Sequence, residues 1–244
     1  MKNKIAILFA FVILILTAGC AQRPSESKEM FSDDYNYPVE VCGVTLESAP
    51  KRVVVLSPSL AEIISDMGFG DALVGRSKEC DYPETVAELT ATGSVLLPDI
   101  DKITKLKPDL LIMQTQPSDS INKLLKDKNI SVIVVPAARR FEELQTVYTN
   151  IGRIFSGDKT GLSKGIAHMK ALDDALKSIN QATVPFANEK PLTAVYITDS
   201  FGHAATGDTV LHRLIISAGA VNAAGSGKEW TADKEMLSKA DVVF

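Results

Sequence analysis

The side chains of this chain that could bind or react are mostly hydroxyl, amide and aromatic groups in loops that follow short apolar runs. They are Ser57-Pro58-Ser59, Ser77 to Tyr82, Gln114-Thr115-Gln116, Pro136 to Arg139, Asp199 to His203 with Phe201 inside it, and Trp230. Groups of this kind orient a large ligand through hydrogen bonds and stacking, with few charges. Trp230, the only tryptophan, offers a flat face to a macrocycle or a catecholate. Each residue also has a plainer role open to it. Ser59 fits a helix cap, Tyr82 a packed turn before Pro83, Arg139-Arg140 a solvated helix start, and Trp230 a core position. His203 is either a contact to a metal carried by a ligand or a structural histidine.

Catalytic arrangements do not stand out. No Gly-x-Ser-x-Gly stands at a strand-to-helix elbow, since the one such string, Gly161 to Gly165, falls inside the expected long helix. There is no Gly-x-x-x-x-Gly-Lys and no Gly-x-Gly-x-x-Gly after a strand. Gly225-Ser226-Gly227-Lys228 resembles a fragment of a phosphate loop, but it lacks a strand before it and a Ser or Thr after the lysine. Zinc or manganese binding needs several imidazoles or carboxylates converging. Only His168, His203 and His212 exist, and His168 is expected on a helix away from the binding cleft. No metal site and no cofactor is therefore expected, and an exported α/β enzyme is the weakest reading.

Cys20 stands apart. Met1-Lys2-Asn3-Lys4 is a basic start, Ile5 to Leu16 is an apolar run, and Leu16-Thr17-Ala18-Gly19 leads with small residues into Cys20. This is the plan of a secretory signal, with an apolar run too short to span a bilayer as a helix. The Leu-Thr-Ala-Gly-Cys string resembles a bacterial lipobox, which implies cleavage before Cys20 and a lipid on its thiol. Acyl chains anchor at roughly 0.8 kcal/mol per buried methylene. Removing residues 1–19 leaves 225 residues with a formal charge of −6 and no dense basic stripe, so nucleic acid is not an expected partner. Cys42 and Cys80 sit in a chain bound for an oxidising compartment; a disulfide and two free thiols are both open.

The elements that must position these loops alternate. Residues 20–37 read as a polar tether, and strand-like alternation starts at Pro38. Arg52 to Leu56 is a strand suited to burial on both faces, and Leu60 to Met67 is a helix with Ser59 and Glu62 at capping-box spacing. Strands at 72–75, 109–113 and 131–135 and helices at 99–106, 118–128 and 140–155 continue the pattern, which argues for a parallel sheet covered on both faces. Residues 38–157 form this first lobe. Residues 158–180 carry Leu162, Ile166, Met169, Leu176 and Ile179 at helical spacing, with Leu172 beside them, and read as one long helix. From residue 181 a linker leads to a strand at 192–198, a helix at 209–217 and a last strand opening at Asp241 to Phe244. With two candidate strands against four, the 181–244 lobe is expected to be incomplete at its C terminus.

In this order the motifs resemble the substrate-binding proteins of ABC importers for cobalamin, ferric siderophores and haem. The resemblance rests on Arg52 to Ser59 with Glu62, on Gly75 with Cys80-Asp81-Tyr82-Pro83, and on Gly93 with Asp99 to Ile103 and Leu106 to Ile112. Ala218-Gly219-Ala220-Val221-Asn222 completes it. It implies an α/β fold of two Rossmann-like lobes joined by one long rigid helix, with the ligand between the lobes. It implies a monomer on the outer face of a membrane, handing an iron complex or cobalamin to an ABC permease and its ATPase. Ser57, Pro58, Ser59, Ser77, Tyr82, Gln114, Gln116, Arg139, Phe201 and Trp230 are then the expected ligand contacts. Ser94 to Pro98 lacks the aromatic that cobalamin binders often carry there, which weakens that ligand. Asp101 is the expected permease-docking acid of the first lobe. Glu235 looks like its counterpart in the second, although Asp233 has the matching spacing of eight to the next strand. Solvated helix-start acids are the plainer reading of both.

Overall fold

A computed structural model describes residues 37–183, 191–199 and 203–244. Cys20, most of the tether and Phe201 lie outside the described residues.

The described chain opens with a hairpin of β1 (Val39–Val41) and β2 (Val44–Leu46). Cys42 and Gly43 at its tip both have positive φ, the backbone demanded by a tight two-residue hairpin turn. Five strands then form a parallel sheet in the order β5-β4-β3-β6-β7. They are β3 (Val53–Leu56), β4 (Leu73–Arg76), β5 (Thr90–Ala91), β6 (Leu110–Met113) and β7 (Ser131–Val134). All four side chains of β3 and of β6 are buried. Alternate residues feed opposite cores. Val53, Val55, Leu110 and Ile112 pack with helix residues Leu60, Ile64, Ile151 and Ile154, while Val54, Leu56 and Leu111 pack with Ile103 and Leu125. Burying such a side chain is worth about 1.5–3 kcal/mol, so a sheet sandwiched on both faces explains the near-continuous apolar runs.

Helix α1 (Pro58–Asp66) follows β3 directly. Its cap is Ser57, whose Oγ accepts from the Leu60 amide at 3.4 Å, and not Ser59 as the spacing to Glu62 suggests. Pro58 decides this, because proline fits the first helical position and forces the residue before it out of the helical region. Then come α2 (Glu84–Ala87), α3 (Ile100–Lys105), α4 (Asp119–Asp127) and α5 (Leu144–Ser156), the last preceded by a turn of 3-10 helix at Phe141–Glu143. The two-residue β5 and four-residue α2 are too short for periodicity to reveal. Cys42 is exposed and Cys80 buried, and both are free thiols.

After α5 the chain reverses at Gly157 and enters α6 (Asp158–Thr183), whose 26 residues span about 39 Å at ~1.5 Å each. The first half of α6 runs back along α5, and the contact is made of glycines. A Cβ on Gly152 would lie 2.2 Å from the Gly161 carbonyl oxygen, and one on Gly165 would lie 2.5 Å from Thr149 Cα. The expected apolar stripe is therefore only partly the buried face. Met169 and Leu176 are buried, but Leu162, Ile166 and Ile179 are exposed, because backbones this close leave no room for long side chains between them.

The second half of α6 carries the second sheet, which is parallel in the order β10-β8-β9. It contains β8 (Thr193–Val195), β9 (Val221–Asn222) and β10 (Val242–Val243), one strand more than the sequence suggests. Helices α7 (Val210–Ser217) and α8 (Lys234–Ser238) belong to this part. Arg213 of α7 ties it to the rest, with Nη2 3.2 Å from Asp173 Oδ1 on α6 and the guanidinium 5.6 Å above the Phe141 ring. The Asn180 amide of α6 donates to the Ile216 carbonyl at 3.4 Å.

The glycine contact predicts a clear cost. Gly161→Ala should destabilise by about 1–3 kcal/mol through overpacking, lowering the melting midpoint by roughly 2–4 °C per kcal/mol. Ser163→Ala on the exposed side of α6 should stay within about 0.5 kcal/mol. Equal midpoints for the two variants in a thermal melt would remove the close approach from the account.

Candidate ligand-binding face

The loops that leave the C-terminal ends of the first sheet's strands are fixed by hydrogen bonds, and these decide which side chains are presented. Ser57 and Ser77 are buried. Ser57 caps α1, and Ser77 Oγ lies 3.2 Å from Cys80 Sγ, so both serve to position their loops. Ser59 is exposed, and its Oγ accepts from Gln114 Nε2 at 2.8 Å. This joins the β3 and β6 loops at the centre of the sheet. It leaves the Gln114 carbonyl oxygen to meet a ligand, while the Ser59 hydroxyl also lies 3.3 Å from Ser57 Oγ. Pro58 is half-buried beside them, and Gln116 is exposed farther along the β6 loop.

Tyr82 is 66% exposed at the end of the loop that follows β4. Arg76, which sequence reading passes over, holds that loop in place. Its guanidinium donates to the carbonyls of Ser77 at 3.0 Å and Ala87 at 2.6 Å, and the Lys78 amide donates to the Gly93 carbonyl at 2.8 Å. An arginine closing the apolar run Leu73-Val74-Gly75 was the available signal. Tyr82 and Ser59 line one concavity of about 690 Å³, together with Glu62, Asp66, Tyr148 and His168. His168, on α6, faces the same hollow as these two residues. Its ring stacks on Tyr148 at 6.1 Å, and Nδ1 lies 2.9 Å from the Lys164 carbonyl. Burial, then the nearby Asp66 carboxylate, pushes the Tyr148 phenol up from its ordinary pKa.

At the end of β7 the two arginines separate in role. Arg140 pairs with Glu143 at 3.0 Å, and the Arg139 amide donates to Glu143 Oε2 at 2.8 Å. Those amides, first that of Arg139, hold the Glu143 carboxyl below its usual range. The Arg139 guanidinium is exposed and makes no hydrogen bond or ion pair among the described residues, which leaves it able to meet an anionic group.

On the second sheet's side, Trp230 is 37% exposed and stands on a strained turn, with Glu229 and Trp230 both at positive φ. Asp208 enforces that turn. Its carboxylate accepts from the Glu229 amide at 3.0 Å and from Thr206 Oγ1 at 2.6 Å. Thr206 Oγ1 in turn accepts from the Trp230 amide at 3.1 Å. Strain of this kind persists only where surrounding contacts over-determine it, and it concentrates at functional sites. The Thr206 hydroxyl, then the Glu229 amide, lowers the Asp208 pKa. Asn222 of the Ala-Gly-Ala-Val-Asn segment is structural: it donates to the Ala205 carbonyl at 2.7 Å and accepts from the Ala224 amide at 3.0 Å. His203 Nδ1 lies 2.6 Å from Asp199 Oδ2, and His212 Nδ1 lies 3.1 Å from Asn222 Nδ2. The Gly225-to-Gly227 turn is packed against backbone, where a Cβ on Gly207 would lie 2.1 Å from the Gly225 carbonyl oxygen. Among the described residues, no group of three or more His, Cys, Asp or Glu is placed to hold a metal ion.

The two acids read as docking residues occupy matching places. Asp99 caps α3 by accepting from the Lys102 amide at 3.0 Å, and Asp101 stands exposed in the first turn. Asp233 caps α8 by accepting from the Met236 amide at 2.7 Å, and Glu235 stands exposed in its first turn. The strand after each helix opens on an aspartate that binds the start of the neighbouring strand. Asp109 accepts from the Lys51 amide at 2.7 Å, and Asp241 accepts from the Thr193 amide at 2.8 Å. Asp233 therefore corresponds to the cap Asp99, and Glu235 to Asp101. Glu235 also holds Lys239 at 2.8 Å across an exposed helix turn, while Asp101 has no such partner among the described residues.

Two parallel α/β sheets bridged by one long helix, with amides, hydroxyls and aromatics fixed at the strand ends, define a bilobal ligand-binding protein. The chain belongs to the periplasmic binding protein family, whose model matches residues 53–242. It is 28% identical to YvrC of Bacillus subtilis, described as an uncharacterized ABC transporter substrate-binding lipoprotein, over 94% of this chain and 76% of that one. It is 27% identical to a cobalamin-binding protein of Halobacterium salinarum over 74% of this chain, and spans 48% of that protein's length. The crystal structure of a possible iron-binding protein of Staphylococcus epidermidis superposes with a TM-score of 0.61 at 24% identity. That match covers 80% of this chain and 77% of the other.

The Trp230 turn should come apart in acid. Because the Asp208 pKa is depressed on folding, its contribution is present above the unfolded carboxylate range near ~3.9 and is lost as pH falls through the lower folded value. Acrylamide quenching of Trp230 should therefore be flat from pH 7 to about 4 and rise below it. Asp208→Asn should show the raised quenching already at pH 7, and a flat, native-like profile in that variant would sink the role given to Asp208.

Proposed function

We propose that this protein captures an iron complex, a siderophore or haem, or else cobalamin, and delivers it to an ABC permease and its ATPase. In this reading it works as a monomer on the outer face of a membrane, held there by a lipid on Cys20. The observation that carries delivery, beyond capture, is the matched pair of helix-start acids. One fold device is built twice, and each copy presents a carboxylate two residues past its cap, at Asp101 and Glu235. Two such acids on the two lobes suit a partner with cations at both ends of its docking surface. Capture rests on the fixed polar pair of Ser59 and Gln114, on Tyr82, Gln116 and Arg139, and on the Trp230 face, with Pro58 framing the first pair. Phe201 keeps the role that its loop suggests.

Asp101→Ala and Glu235→Ala should leave the affinities for haemin, cyanocobalamin and a ferric trihydroxamate unchanged while uptake into cells falls. Removing one side of a desolvated charge pair costs roughly 2–5 kcal/mol, so added cargo should not rescue the double variant. An opposite-charge swap on the permease should restore uptake, and undiminished uptake by the double variant would rule out docking through these acids. Cys20→Ser should move the protein from the membrane to the soluble fraction. Mass spectrometry showing an unmodified Cys20 in the wild type would remove the anchor.

A further inference from the structure

The first sheet is parallel, with Val53, Leu110 and Ser131 side by side in register. The connections that enter β3, β4, β6 and β7 therefore meet at one end of it, opposite the Ser59–Gln114 pair. They carry Lys51, Arg52, Lys105, Lys107, Lys126 and Lys128, all exposed. Their acids are fewer. Glu47, Asp71 and Asp127 are exposed, while the Asp109 carboxylate is taken up by the amides of Lys51 at 2.7 Å and Arg52 at 3.1 Å. Lys105, Lys107, Lys126 and Lys128 make no ion pair among the described residues. Elsewhere Lys102, Lys170, Lys177 and Lys239 are each held by a carboxylate. The helix dipole accounts for Lys105 and Lys126, in the last turns of α3 and α4, but calls for neither Lys51 nor Lys107. A chain with a formal charge of −4 thus gathers unpaired cations at a single end.

The described chain begins at the same end. Phe69, in the connection into β4, stacks on Phe155 in the last turn of α5 at 4.8 Å, so α5 ends beside the strand starts. There the Tyr37 hydroxyl donates to the Ile154 carbonyl at 2.6 Å. Residues 20–36 are all that separate Tyr37 from Cys20, and a flexible polar chain of that length averages roughly 23 Å from end to end. An anchor at Cys20 therefore keeps this end, and not the binding face, close to the bilayer. We propose that the basic end of the first lobe is a resting surface for anionic lipid, fitted to the phosphate headgroups of the bilayer that holds Cys20. The inference rests on the anchoring reading above. Attraction of lysines to an anionic bilayer fades within about 10 Å at moderate salt, so only an end held close by its tether gains from it. Contacts of this strength orient an anchored chain and do not replace its anchor. Lying on this end, the protein turns Ser59 and Gln114 away from the bilayer, toward arriving ligand.

The test uses the mature chain from residue 20 with Cys20→Ser, so that no acyl group contributes, and vesicles of phosphatidylcholine with or without phosphatidylglycerol. At low salt the chain should bind the phosphatidylglycerol vesicles, leave them as salt is raised, and ignore pure phosphatidylcholine. Lys105→Gln/Lys107→Gln/Lys126→Gln/Lys128→Gln should weaken that binding about fivefold for each lysine, several hundred-fold in all, with the melting midpoint unchanged. Lys102→Gln/Lys170→Gln/Lys177→Gln/Lys239→Gln, which removes the same charge from other places, should bind within a few-fold of the parent. Equal losses in the two variants would reduce the effect to net charge and overturn the surface. Equal binding of the parent to both kinds of vesicle would overturn it too, as would capture by inorganic polyphosphate in solution with no binding to vesicles. Mass spectrometry of the wild type keeps the two readings apart. An acylated Cys20 with no lysine-dependent vesicle binding removes this surface and leaves the anchor, whereas an unmodified Cys20 with such binding removes the anchor alone.

Discussion

The close approach of α5 and α6 is the constraint on which the rest of the molecule depends. Gly152, Gly161 and Gly165 let two helix backbones touch, and Gly157 reverses the chain between them in a single residue. The first half of α6 is thereby fused to the first lobe's core, through Met169 against Phe141. The second half projects as a continuation of that rigid body, and α7 is attached to it by Arg213 and Asn180. A helix locked at one end transmits orientation to the other, which a polar linker of the same length would not do. The position of Trp230 relative to Tyr82 is thus set by a packing event remote from both.

The second constraint is repetition. Each sheet uses a cap aspartate, an exposed acid in the first helical turn, and a strand-opening aspartate that collects backbone amides from its neighbour. Asp109 and Asp241 accept from amides at the start of the neighbouring strand and so fix the point at which the chain re-enters the sheet after each helix. The exposed acids have no folding task of comparable weight. The ion pair of Glu235 with Lys239 lies on the surface, where such pairs are worth about 0–1 kcal/mol. A carboxylate repeated in place, and left free or only weakly held, is what recognition requires.

Much of the first lobe could be read from the sequence because its elements obey simple periodicity. Short apolar runs became strands buried on both faces, and Gly68 ended α1 with its positive φ. The failures came where one local rule overrode another. Ser59 matched the capping-box spacing, yet Pro58 moved the cap to Ser57 and freed Ser59 for Gln114. The α6 stripe counted leucines, whereas the contact was made by glycines, which no hydrophobicity pattern marks. Short strands such as β5 and β9 exist only because neighbours offer them a ladder. His168 joined Ser59 and Tyr82 through the α5–α6 reversal, a long-range consequence of Gly157. Of the site, residue types and loops were legible, but the holding network of Arg76, Asp208 and Thr206 was not.

That network bears on how such a site binds. In the proposed reading the groups offered to a ligand are few, and several of them are already fixed before it arrives, the Arg139 guanidinium excepted. Ser59 is pinned by Gln114, the Tyr82 loop by Arg76, and Trp230 by a turn strained into the left-handed region and bolted by Asp208. Ordering a free side chain on binding costs about 0.5–1.5 kcal/mol, and here most of that cost is met during folding. A pre-formed face favours bulky, rigid ligands that present complementary edges, and it gains little from pliant ones that must themselves be ordered.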